Sequence, residues 1–156
     1  MDQGRAIVLM ILLLFLSFLI PHTTGVLIEN AFIKSWENYG FMPDQTRQWW
    51  DNGIWSRSVA IAWKAKGFEP AEASSWKTMK IPPAEAKEWK EGGFNLAEAM
   101  EWRRYAFAPY KANEWKSMGF GLGDAMAWRK HAFEPDEAGK WRSGGYSPMR
   151  AAEEKR

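Results

Sequence analysis

Apolar and polar positions along the chain recur in a frame of thirteen residues, marked by Trp36, Trp49, Trp63, Trp76, Trp89, Trp102, Trp115, Trp128 and Trp141. One step, Trp49 to Trp63, is fourteen residues long, which places a single insertion near Trp55. The stretch Gly67-Phe68-Glu69-Pro70-Ala71-Glu72-Ala73-Ser74-Ser75-Trp76 shows the unit in its regular form. Self-similarity at a fixed short period is the signature of a repeat protein.

Each unit reads as one short helix. Pro70 suits the first helical position, where its missing N–H is harmless and its fixed φ is already helical. Glu72 then falls third, facing the positive helix end and able to reach back to the capping N–H, and Glu85, Glu98, Asp124 and Glu137 repeat it. The fourth position is Ala60, Ala73, Ala86, Ala99, Ala112, Ala125, Ala138 or Ala151. Phe68, just before the cap, is predicted to staple onto Ala73. Gly67, Gly93, Gly119 and Gly145 follow a Trp by four residues, where a left-handed residue closes a helix. The aromatic after each, Phe68, Phe94, Phe120 or Tyr146, should touch the Trp one turn back. The spacing predicts helices of roughly ten residues, about 15 Å long, joined by linkers of roughly three residues.

Neighbouring units are not equivalent. Residues 94–119 and 120–145 share thirteen identities in twenty-six, whereas 94–106 and 107–119 share four in thirteen. The expected structural unit is therefore a 26-residue helical hairpin. Its first helix carries the wider apolar stripe (Leu96, Ala99, Met100, Trp102; Leu122, Ala125, Met126, Trp128) and its second is more polar, which predicts an inner and an outer layer. Lys80, Ala106 and Ala132 replace the closing Gly at 26-residue spacing, suggesting that alternate linkers differ in geometry. The fold class expected is all-α: a short helical-repeat solenoid of 13-residue units paired as hairpins, preceded by an N-terminal hydrophobic helix. A 13-residue unit does not match the roughly 34-residue tetratricopeptide or 33-residue ankyrin period.

Ala6 to Ile20 is an apolar run of fifteen residues broken only by Ser17, the length of a signal-peptide core rather than a comfortable membrane span. Thr23-Thr24-Gly25 offers small residues for cleavage before Val26, but it is not an Ala-x-Ala site, so an uncleaved anchor stays open beside a cleaved leader. The expected organisation is a signal peptide or signal anchor over 1–25, degenerate first repeats over 26–56, regular repeats over 57–147, and a capping half-repeat with its tail over 148–156. In either case the repeat region is extracytoplasmic: secreted, periplasmic or anchored through residues 6–20.

Composition removes several functions. The chain has no Cys, so thiolate catalysis, disulfides and thiolate metal sites are excluded. A formal net charge of +2 makes no demand for nucleic acid. Carboxylates recur with the repeat, and His131 stands where Met79 and Tyr105 stand in sister units, so no enzyme, cofactor or metal is expected.

Two sets of residues invite a binding role. The residue after each Trp is basic in Lys64, Lys77, Lys90, Arg103, Lys116, Arg129, Arg142 and Lys155. Such cations complement a helix C-terminus, or in columns could hold an anionic polymer. Of eleven Trp the frame uses nine, leaving Trp50 and Trp55, which either seal the first end of the core or form an exposed docking patch. The remaining indoles are expected to be core rather than sugar-stacking platforms. These readings point to a non-catalytic interaction or scaffold module with a protein partner, such as an accessory subunit of a membrane or envelope complex. The alternative is an extracytoplasmic binder of glycan or another anionic polymer.

Overall fold

The computed structural model describes residues 22–156, with side chains from residue 29 onward. The expected leader, and the hydrophobic helix predicted over 6–20, lie outside the described residues. Those residues form ten α-helices and no strand: α1 (His22–Glu37), α2 (Pro43–Asp51), α3 (Arg57–Lys64), α4 (Pro70–Thr78), α5 (Pro83–Glu91), α6 (Leu96–Arg104), α7 (Pro109–Ser117), α8 (Leu122–Lys130), α9 (Pro135–Ser143) and α10 (Pro148–Glu154). The protein is thus an all-α helical repeat. Two compact units divide after Ile61, inside α3.

The expected punctuation is present, with a small shift in lengths. The regular helices α4 to α9 have nine residues each, and the linkers between them have four rather than three. The extra linker residue is the helix C-cap, such as Met79, which keeps helix-like φ but precedes the left-handed turn. Each closure is a Schellman motif: the Phe68 N–H donates to Trp63 O (3.2 Å) and the Gly67 N–H to Lys64 O (2.9 Å). The same pair of bonds recurs at Phe94, Phe107, Phe120, Phe133 and Tyr146.

The linkers do not alternate in geometry as the Lys80, Ala106 and Ala132 substitutions suggest. Those three residues adopt φ of 57°, 57° and 60°, the same left-handed well as Gly67 (80°) and Gly93 (71°). The bonds from Phe107 to Trp102 O and from Phe133 to Trp128 O demand that conformation whatever residue supplies it. A Cβ there costs about 1–2 kcal/mol. Ala106→Gly and Ala132→Gly are therefore expected to stabilise the protein by about 1 kcal/mol each, read from chemical denaturation midpoints. Gly93→Ala should cost a similar amount; no change in any of the three would mean that the turn relaxes.

The core repeats one set of contacts. Every fourth-position Ala from Ala60 to Ala151 is 0 % exposed, and eight ladder indoles are 0–6 % exposed. Trp141 is half-buried. Phe41, Phe68, Phe94, Phe120 and Phe133 each sit between two indoles, mostly edge-on: Phe68 lies 5.0 Å from Trp63 and 6.3 Å from Trp76, and Phe120 lies 5.1 Å from Trp115 and 6.2 Å from Trp128. Edge-to-face geometry of this kind suits the ring quadrupoles. Both helix types bury Ala and Trp alike, so burial does not sort them into the expected inner and outer layers. Leu96, Met100, Leu122 and Met126 are only half-buried.

In the unit 62–156, α4 packs on α5, α6 on α7, α9 on α10, and α5 also packs on α7, the next helix but one. In the unit ending at Ile61, α1 packs on α2.

Candidate functional site

The cations that follow each Trp face inward along the array rather than standing free. Lys90 Nζ bonds Glu72 (2.8 Å) and lies 5.0 Å over the Phe68 ring. Lys116 donates to Gly93 O (2.7 Å) and covers Phe94 at 4.2 Å. Arg129 donates to Tyr105 O (2.6 Å) and Ala106 O (3.4 Å), with its guanidinium over the Phe107 ring at 3.8 Å. Arg142 repeats this on Met118 O, Gly119 O and Phe120, and Lys155 bonds Glu137 (2.7 Å) over Phe133. Arg103 bonds Glu85 at 3.0 Å. Lys64 and Lys77 are likewise engaged.

From Lys90 onward each cation is thus a strap from the end of one helix to the junction two helices earlier. Lys116, Arg129 and Arg142 neutralise carbonyls of a closing turn, and these three with Lys90 and Lys155 shield the buried ring beneath. Four of the third-position acids, Glu72, Glu85, Glu98 and Glu137, serve as the other half of a strap. Only Glu98 also reaches back to its capping residue, at Asn95 N (3.0 Å), the role expected for all of them. Glu72, Glu85 and Glu137 take the strap cation instead.

The α6/α7 junction is the exception that fits the rule. Its third position is Lys111, which would face Arg129 as a like charge. Lys111 turns instead to Glu114 (2.9 Å) and Glu134 (3.0 Å), and these hydrogen bonds, Glu114 first, raise its pKa above the ordinary lysine value. Arg129 is left with the carbonyls alone.

Trp50 does have a place in the repeat. It occupies the strap position, one after Trp49, and its ring meets Phe32 at 4.7 Å and Trp36 at 6.2 Å. α1 runs unbroken from His22 to Glu37, through the position 23 residues before Trp50 where a strap would land, so no closing turn stands there to receive a cation. An indole on a phenyl ring fills the slot instead. Trp55 is 51 % exposed and donates to Trp50 O at 3.2 Å.

The straps also define two edges of the unit 62–156. Arg103 and Arg129 link the α4/α5, α6/α7 and α8/α9 junctions along one edge; Lys90, Lys116 and Arg142 link α3/α4, α5/α6, α7/α8 and α9/α10 along the other. The second edge is closed by Gly67, Gly93, Gly119 and Gly145, the first by Lys80, Ala106 and Ala132. On the first edge Met79, Tyr105 and Tyr110 are 41 %, 39 % and 62 % exposed. Thirteen-residue periodicity passes over these residues; the 26-residue alternation of Gly with Lys or Ala is the signal that marks their edge.

Among the described residues no group of three or more His, Cys, Asp or Glu is placed to hold a metal ion, and no helix is long and apolar enough to cross a membrane. His131, at the end of α8, is half-buried. The class defined by this geometry is an all-α helical-repeat protein with a tryptophan ladder. No known protein family, curated protein or solved structure matches the chain.

Proposed function

We propose that the protein is a non-catalytic scaffold, exported or tethered by its N-terminal segment, that works by protein–protein contact within a membrane or envelope assembly. In this reading the array is a solenoid of 26-residue hairpins, supported by the two dissimilar edges that the straps connect. The observation that carries the proposal is that ladder, small residues and straps are all spent on holding the repeat together. Function then falls to the exposed positions that vary between units, as in other repeat proteins.

Polymer binding along the basic stripe is the weaker alternative, because a polyanion would have to displace Glu72, Glu85 and Glu137 from cations they already pair. Crosslinking in intact cells followed by affinity purification should recover a protein, and N-terminal sequencing should begin at Val26 for a free module or at Met1 for a tethered one. Recovery of polysaccharide without protein would overturn the scaffold assignment.

A further inference from the structure

We infer that the edge formed by the α4/α5 and α6/α7 junctions docks an acidic, partly apolar polypeptide segment through Met79, Lys80, Arg104, Tyr105, Ala106 and Tyr110. This deepens the scaffold reading and rests on it. Arg103 bonds Glu85 at 3.0 Å, so the two junctions are neighbours along one edge. All six residues are exposed.

Charge selects the partner. Residues 73–84 and 102–113 of the two junctions contain no Asp or Glu, and the third-position acid beside them, Glu85, is already held by Arg103. Lys80 and Arg104 make no side-chain ion pair or hydrogen bond among the described residues, unlike the strapped cations. Lys111, by contrast, is neutralised by Glu134 of the α8/α9 junction, so the basic surface stops there. The opposite edge interleaves Glu69, Glu72, Glu91, Glu98 and Asp124 with Lys64, Lys66, Lys90, Lys116 and Arg142 at its junctions. An acidic segment therefore meets unpaired cations on one edge and a mixture of both signs on the other.

Chemistry of the rings agrees. Tyr and Arg dominate binding hot spots, where a ring supplies area and its hydroxyl a bond. The left-handed Lys80 and Ala106 sharpen the point: this edge keeps side chains where the other keeps glycine, and pays in backbone strain for apolar and cationic surface.

The test uses the full-length protein and a labelled peptide of alternating Glu and Leu, its Lys/Leu counterpart, and phosphatidylglycerol vesicles. The acidic peptide should bind alone. Tyr105→Ala with Tyr110→Ala, and separately Lys80→Glu with Arg104→Glu, should weaken it by about tenfold or more. Gly123→Ser on the opposite edge should leave binding unchanged. Ala106→Gly should raise the unfolding midpoint while weakening binding, a split that a purely structural residue would not produce. Absence of acidic-peptide binding, equal binding after charge reversal, or binding to vesicles in its place would overturn the inference. Benzoylphenylalanine placed in cells at position 110 or 123 separates the two levels. A protein adduct from 123 but not 110 removes this edge and leaves the scaffold reading; an adduct from neither removes both.

Discussion

Trp128→Ala is expected to lower stability by about 3–5 kcal/mol, a large share of the roughly 5–15 kcal/mol that holds a domain folded. Trp128 is 3 % exposed and its ring lies 6.2 Å from Phe120 and 5.2 Å from Phe133. Removing it strips the wall from two closing aromatics at once, and the side chains around it are held by backbone turns that cannot collapse inward. Trp55→Ala supplies the contrast. Its ring is half in solvent, so the loss should be about 0.5 kcal/mol. Denaturant unfolding followed by far-UV circular dichroism measures both, and equal losses would show that the ladder is not what holds the repeat.

Ala112→Glu should be comparably severe, at about 3–5 kcal/mol, because it buries an unpaired carboxylate in a slot that is 0 % exposed. Ala112→Leu should cost about 1–3 kcal/mol through overpacking alone. The chain contains its own control. Thr46 fills the equivalent slot of α2, also 0 % exposed, and its hydroxyl donates to Met42 O at 3.3 Å. Ala112→Thr, with Ala108 O in the matching place, should therefore cost about 1 kcal/mol. A tolerated Glu would mean that the slot opens to water.

Much of the fold was legible from residue spacing because its determinants are local. Pro at the first helical position, Ala at the fourth and Gly four after Trp each act within one turn, and the predicted helices, closures and buried rings follow. Lys80, Ala106 and Ala132 misled because residue preference was read as conformation; the hydrogen bonds of the turn overrule that preference. The straps were hidden for a different reason. A cation beside a helix C-terminus and an acid beside an N-terminus each have an adequate local explanation, so nothing in one unit reveals that Lys90 belongs to Glu72. Trp50 escaped the frame because its slot is elsewhere basic, and chemical type concealed position. The exposed edge needed the straps first, since only they say which junctions are neighbours.

The straps also impose an order on assembly as the polypeptide is made. Lys116 secures Gly93, and Arg142 secures Gly119, each across 23 residues, and always from the later residue back to the earlier. A growing chain therefore trails a stretch about that long whose newest turns are still unlatched, with their phenyl rings uncovered until the helix after next arrives. Slow synthesis or transport would lengthen the life of that sticky trailing segment, and it is there that a chaperone would find something to hold.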